Sequence, residues 1–171
     1  MTGRCFVDAN VFVYMRDPRD PRKQSIAANW IAHLWHERLG RTSAQVLSEY
    51  YAVATRKLAP PVAPDLAWDY VRELLSWRPQ PVDAALLTRA REVEQRYRIS
   101  WWDSMVVAAA QLQDCTLLLT EDLHDGAAFG TVVVRSPFTL EIQQPAAAYA
   151  VTPRVASLHR PRGRPRRAAM A

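Results

Sequence analysis

Three short apolar runs are separated by longer segments in which apolar residues recur at helical spacing. The runs are residues 5–7, 116–119 and 131–134, and they lack the polar alternation of half-exposed strands, which is typical of strands buried in a parallel sheet. The helices predicted by the spacing cover residues 10–15, 22–39, 42–58, 65–77, 83–97 and 100–113, with Asp83 and Ser100 as the N-caps of the last two. Buried strands that alternate with helices predict an α/β fold with a mainly parallel sheet.

Local sequence features also place the ends of several elements. Gly40 is predicted to follow the second helix as its C′ residue. Thr42 is predicted to begin the next helix, with Gln45 as its capping-box partner. A short edge-like strand is predicted near Val82, among several prolines.

The composition is that of one ordinary globular domain, since 49% of the 171 residues are hydrophobic and 23% are charged. The longest apolar run, near residues 105–110, is too short to span a membrane. The first residues carry no signal-peptide hydrophobic segment, and Cys5 and Cys115 are too far apart in sequence to suggest a metal site or a disulfide framework. The five glycines form no nucleotide-binding loop pattern. We therefore expect a cytoplasmic protein that does not bind a nucleotide through such a loop.

Positive charge is concentrated at the C-terminal end. The formal net charge is +5, but six arginines and no acidic residue follow Glu141, which leaves 16 basic against 17 acidic residues elsewhere. Proline, alanine and arginine dominate from Pro145 onward, with little apolar periodicity. We predict a globular domain over residues 1–144 and a basic, disordered arm over residues 145–171. Such an arm suits nucleic acid or a membrane surface by its charge, and a solvated tail without function is the alternative.

One segment of this arm resembles the core of an AT-hook. The residues are Pro161-Arg162-Gly163-Arg164-Pro165, flanked by Arg160, Arg166 and Arg167. In an AT-hook, a flat Arg-Gly-Arg segment lies in a narrow A·T minor groove, where the negative potential is enhanced. The hypothesis that follows is that the arm binds A·T-rich DNA.

Acidic residues follow two of the predicted strands. Asp8 comes directly after the first apolar run, and Glu121, Asp122 and Asp125 come after the second. Sites in open α/β sheets lie beyond the C-terminal ends of the strands, so these carboxylates are expected at one edge. An aspartate at such a position can also do no more than shape a turn or cap a helix.

Two more acids occupy unusual positions. Glu49 shares a helical stripe with apolar residues, so it lies at the edge of the core or faces a cleft. Asp103 stands three residues after Ser100 in strongly apolar surroundings, where it either caps a helix or borders a pocket. Several carboxylates at one edge need a cation, and Mg²⁺ or Mn²⁺ prefers oxygen ligands. Such an ion supports phosphodiester hydrolysis without any histidine.

Four motifs, in order and at family spacing, resemble the PIN-domain ribonucleases, especially the VapC-type toxins of bacterial toxin–antitoxin pairs. They span residues 5 to about 135 and read Phe6-Val7-Asp8-Ala9-Asn10-Val11, Thr42-Ser43-Ala44-Gln45-Val46-Leu47-Ser48-Glu49-Tyr50-Tyr51, Ile99-Ser100-Trp101-Trp102-Asp103-Ser104-Met105 and Leu118-Leu119-Thr120-Glu121-Asp122-Leu123-His124-Asp125-Gly126. The resemblance implies a three-layer α/β/α fold with a short, mainly parallel sheet.

The resemblance also implies an activity and a site. The activity is cleavage of RNA with Mg²⁺, or alternatively Mn²⁺, and the acidic cluster that would hold the metal consists of Asp8, Glu49, Asp103 and Asp122. Asp8 and Asp103 would be the principal ligands, and Glu49 and Asp122 would complete the site directly or through water. Asn10 would orient this cluster by hydrogen bonding. Glu121 or Asp125 could take the place of Asp122. The implied partners are an RNA substrate, a cognate antitoxin protein and a second copy of the chain, with no membrane; the arginine arm is a departure from the typical toxin and leaves DNA open as a further partner.

Two other functions are compatible with parts of the sequence. A nucleic-acid-binding protein could retain the fold and act through the arm, although four acids facing a polyanion argue against it. A haloacid-dehalogenase-like phosphatase also places an aspartate after its first strand, but it needs a second aspartate two residues later, where this chain has Asn10.

Overall fold

The computed structural model of the chain describes residues 3–140. The basic arm predicted for residues 145–171, including its AT-hook-like segment, lies outside the described residues. In chain order the elements are β1 (Arg4–Val7), α1 (Ala9–Tyr14), α2 (Pro21–Glu37), β2 (Gly40–Arg41), α3 (Ala44–Arg56), α4 (Pro64–Leu74), a 3₁₀ turn (Leu75–Trp77), α5 (Ala84–Tyr97), α6 (Trp101–Leu112), β3 (Cys115–Leu119), β4 (Ala128–Phe129) and β5 (Val132–Arg135).

The strands form one five-stranded sheet in the order β2-β1-β3-β5-β4, and only the β4–β5 pairing is antiparallel. Phe6 of β1 stands opposite Leu118 of β3, which in turn stands opposite Val134 of β5. This confirms the predicted α/β class, the mainly parallel sheet and the three-layer arrangement. Because β1 and β3 are parallel neighbours, the residues that follow them, Asp8 and Thr120, emerge side by side at the C-terminal edge.

Aromatic packing supports the helix that follows β1. Phe12 of α1 is fully buried, and its ring lies 6.0–6.2 Å from the rings of Tyr50, Tyr70 and Trp77. These partners belong to α3, α4 and the 3₁₀ turn, so one side chain joins four elements. Burial of this cluster fixes α1, and with it Asp8, against the rest of the domain.

The predicted role of Gly40 is wrong. Helix α2 ends at Glu37, and Arg38, with φ of 58°, takes the left-handed position after it. Gly40 instead lies in β2, where a Cβ atom would come within 2.5 Å of the Trp77 ring. A glycine is therefore required at position 40 because the Trp77 ring packs directly against the backbone there. Sequence patterns at helix ends do not reveal such a contact.

Other predicted boundaries also need correction. Helix α3 is capped by Ser43, whose hydroxyl accepts from the Val46 N–H at 3.2 Å, and Thr42 instead donates its buried hydroxyl to the Val7 carbonyl at 3.2 Å. No capping box with Gln45 forms. The short strand predicted near Val82 is reduced to an isolated parallel β-bridge between Gln80 and Ser43. The helix predicted to reach residue 77 ends as α4 at Leu74, followed by the 3₁₀ turn.

The predicted N-caps of the last two helices are confirmed. Asp83 accepts a hydrogen bond from the Leu86 N–H, and Ser100 accepts one from the Asp103 N–H. None of the helices in residues 3–140 is long and apolar enough to cross a membrane.

Candidate active site

Asp8 is a buried carboxylate at the junction of β1 and α1. Its side chain is only 7% exposed. Oδ1 accepts from the Ala9 N–H at 2.7 Å, which caps α1, and Oδ2 accepts from the Thr120 hydroxyl at 2.7 Å. Burial raises the pKa of Asp8 to about 6, and the negative charges of Asp122 and Glu49 add to that rise, while the two hydrogen bonds oppose it.

Thr120, directly after β3, joins this carboxylate to the rest of the cluster. Its hydroxyl oxygen, almost completely buried, accepts from Asn10 Nδ2 at 2.9 Å and from the Asp122 N–H at 3.1 Å. Asn10 Nδ2 also donates to Asp122 Oδ2 at 3.0 Å. Sequence reasoning missed Thr120, although a hydroxyl residue at the end of a buried strand and beside two acids is a detectable pattern.

The three acids that follow β3 have different surroundings. Glu121 is paired with Lys23, with 2.7 Å between Oε2 and Nζ, and Asp125 accepts from the Arg135 side chain, the Ser136 N–H and the Thr139 hydroxyl. The carboxylates of Glu121 and Asp125 are thus occupied by ion pairs or hydrogen bonds outside the cluster, whereas Asp122 bonds to Asn10 of the cluster. Among the alternatives left open by the sequence, the geometry favours Asp122.

Glu49 and Asp103 extend the cluster from two helices. Burial raises the pKa of Glu49, and the charges of Asp122 and Asp103 raise it further, whereas Lys57 lowers it. The Asp103 N–H donates to the Ser100 hydroxyl at 3.1 Å, and that hydroxyl donates to Asp103 Oδ2 at 2.6 Å, so the carboxylate contacts the capping side chain rather than the Ser100 N–H expected of a capping box. The charges of the four acids named by the resemblance therefore interact. Glu49 lies between the others, since it interacts with Asp8 and Asp122 on one side and with Asp103 on the other.

The cluster is suited to a cation with few protein ligands. Within residues 3–140, no Lys or Arg forms an ion pair with any of these four acids, and no three His, Cys, Asp or Glu side chains are grouped tightly enough to enclose a metal ion. The buried Asn10 Oδ1 also has no hydrogen-bond partner there. Mg²⁺ commonly uses one or two carboxylates and keeps several waters, so an open, oxygen-only donor set fits it.

The model of the PIN-domain family matches residues 5–124. Among solved structures, the chain resembles VapC20 of Mycobacterium tuberculosis, a toxin that cleaves the sarcin–ricin loop, with 21% sequence identity and a TM-score of 0.51. The match covers 69% of this chain and 89% of that one, and at this identity it shows the fold. No protein among the curated ones matches.

Proposed function

The chain belongs to the PIN-domain family, and on that premise we propose that it is a metal-dependent endoribonuclease and the toxin of a toxin–antitoxin pair. The observation that carries this proposal is the hydrogen-bonded unit of Asp8, Thr120, Asn10 and Asp122 at the C-terminal edge of the sheet. The family match also removes the phosphatase alternative.

The chemistry of the donor set supports hydrolysis of a phosphodiester. Asp8 and Asp122, which are linked through Thr120 and Asn10, would hold Mg²⁺ or Mn²⁺. Asp103, which the resemblance implies as a principal ligand, would instead act with Glu49 as a further carboxylate on the facing helices. When bound, such an ion activates water and stabilises charge on the phosphoryl oxygens. Thr120 fixes the orientation of the Asp8 carboxylate, and Asn10 fixes that of Asp122, as hydrogen-bond partners of metal ligands commonly do.

The fold likeness to VapC20 supports the biological part of the proposal. That protein is a toxin that acts on an RNA loop, so RNA is the proposed substrate here. A cognate antitoxin protein is the proposed inhibitor, and a homodimer is the proposed assembly. A cytoplasmic location remains the expectation for such a chain.

The test is incubation of the purified protein with total cellular RNA, in Mg²⁺, in Mn²⁺ and in EDTA. We expect discrete fragments that require both the metal and Asp8, so Asp8→Asn should leave the RNA intact. The matched control is Glu121→Gln, which removes a neighbouring carboxylate that Lys23 already occupies. Equal cleavage by wild type and Asp8→Asn would contradict the site, and intact RNA in every lane would contradict the activity.

The arginine arm favours a second candidate function, nucleic-acid binding without cleavage. The specific observation is the Arg160–Arg167 segment with its Arg-Gly-Arg core. Retention of RNA or DNA by a protein that leaves every RNA intact would support this alternative. The arm is then expected to carry the affinity, with a strong salt dependence.

A further inference from the structure

A largely apolar cavity of about 590 Å³ opens beside the acidic cluster. It lies between the N-terminal halves of α3 and α6 and the loop before α5. The lining side chains are Gln45, Ser48, Glu49, Val82, Trp102 and Met105. Glu49 belongs both to this cavity and to the acidic cluster, so a molecule whose phosphate reaches the acids has its neighbouring group at the cavity.

Trp102 is a strongly exposed aromatic side chain that lines this cavity. It is 65% exposed, more than any other large apolar side chain of residues 3–140. It stands in the first turn of α6, directly before Asp103. An indole left in water costs free energy that burial would recover, and a flat aromatic face beside a phosphodiester-cleaving site is suited to stacking on a nucleobase.

Gln45 supplies a second, independent observation. Its Oε1 atom is buried and has no hydrogen-bond partner within the described residues. A buried acceptor without a partner is unfavourable. Because Gln45 is only partly buried and lines the cavity, rotation of its amide would bring this acceptor to a ligand that donates a hydrogen bond. Adenine, cytosine and guanine carry an exocyclic amino group that can donate, whereas uracil carries none.

We propose that this cavity is a nucleobase subsite of the RNA substrate, in which the base stacks on Trp102 and its amino group donates to Gln45. This inference rests on the proposed function. The base must be unstacked from its neighbours to enter, so the substrate segment is single-stranded. The apolar surface here, essentially one indole with Val82 and Met105, is small compared with a stable chain–chain interface of about 1,200 Å² or more.

The experiment compares the binding of short oligo(C) and oligo(U) RNAs to the full chain in EDTA, by fluorescence anisotropy, with a gel to show that the RNA stays intact. Cytosine and uracil have similar stacking area and differ at the group that Gln45 would contact. We expect oligo(C) to bind on the order of 10-fold more tightly, the ratio that corresponds to one hydrogen bond. Gln45→Met, which keeps the length of the side chain, should bring the two affinities together.

Trp102 is tested in the same assay. Trp102→Ala should weaken the binding of oligo(C) by roughly 5- to 100-fold, the range for loss of one base–aromatic stack, and Trp102→Phe should retain most of it. The matched control is Trp68→Ala, because Trp68 is 52% exposed but does not line the cavity. Equal losses for Trp68→Ala and Trp102→Ala, or none for either, would overturn the subsite.

Further outcomes separate the subsite from the activity. If wild type cleaves RNA but Trp102→Ala binds and cleaves as wild type does, the subsite is wrong and the nuclease proposal stands. If binding depends on Trp102 and no metal supports cleavage, the subsite stands and the nuclease proposal fails. If wild type binds no RNA in EDTA, the subsite is wrong, and cleavage in Mg²⁺ or Mn²⁺ decides the nuclease proposal separately. If Trp102→Ala changes only self-association on gel filtration, the surface is a contact between copies.

Discussion

The Thr120 hydroxyl donates its only proton to Asp8 Oδ2 across 2.7 Å, between the ends of two neighbouring parallel strands. The same oxygen accepts from Asn10 Nδ2 and from the Asp122 N–H. A hydroxyl that donates once and accepts twice is fully used, and hydrogen bonds linked in this way strengthen one another. Thr120 therefore sets the relative orientation of two carboxylates without being charged itself.

Replacement of Thr120 by valine tests this positioning role. Thr120→Val keeps the shape of the side chain but leaves Asp8 Oδ2 without its donor, at a cost of about 1–3 kcal/mol in the free energy of unfolding. In the wild type, the hydrogen bond from Thr120 lowers the pKa of Asp8. Its loss should therefore raise this pKa further, and metal binding should need a higher pH. Thermal unfolding with and without Mn²⁺, across pH 5–8, measures both effects.

Thr120→Ser provides the control for that variant. Serine keeps the hydroxyl, so its Mn²⁺ response should follow the wild-type pH profile even if the lost methyl group lowers stability. Identical pH profiles for the valine and serine variants would show that the hydroxyl does not position Asp8.

Asp8 should also make the stability of the metal-free protein depend on pH. Its pKa is about 6 in the folded protein and near 3.8 when unfolded, so between these values the folded state binds more protons and loses stability as the pH rises. The full loss, above pH 6, is about 3 kcal/mol. Asp8→Asn lacks this titration, so in EDTA its melting temperature relative to wild type should rise from pH 4 to pH 7. A difference that stays constant with pH would contradict the raised pKa.

Local sequence chemistry was sufficient for part of the fold and site. Asp8 directly follows an apolar run, and Ser100 precedes a helix with the acid of a capping box, so both positions follow from patterns a few residues long. The parallel arrangement of the sheet then places the acids after β1 and β3 at one edge. These features depend on strand length and helix ends, which a single sequence encodes.

Features that depend on distant partners could not be predicted in the same way. The role of Thr120 requires the pairing of β1 with β3, which brings it to Asn10 across 110 positions in sequence. The pairing of Glu121 depends on Lys23, which is 98 positions away. Gly40 is explained only by the Trp77 ring that packs on it.

The arginine arm leads to a prediction that is independent of the acidic cluster. If the Arg-Gly-Arg core enters an A·T minor groove, Arg162→Ala with Arg164→Ala in the full chain should weaken binding to an A·T-rich duplex far more than to a G·C-rich one. Electrophoretic mobility shifts at two salt concentrations measure this. Equal weakening on both duplexes would indicate charge alone, and no weakening would leave the arm without a role in DNA binding.

The choice among the three acids after β3 can be decided by metal binding rather than by activity. A ligand that binds only the folded state raises the melting temperature, so Mn²⁺ should stabilise wild type and should stabilise Asp122→Asn much less. Glu121→Gln breaks the ion pair with Lys23, at a cost of about 1 kcal/mol or less, yet should respond to Mn²⁺ as wild type does. Asp125→Asn should be less stable, because Arg135, Ser136 and Thr139 all bond to that carboxylate, but its metal response should also persist. Loss of the Mn²⁺ response in Glu121→Gln, with retention in Asp122→Asn, would mean that Lys23 releases Glu121 to the metal and that the acidic cluster includes a different carboxylate.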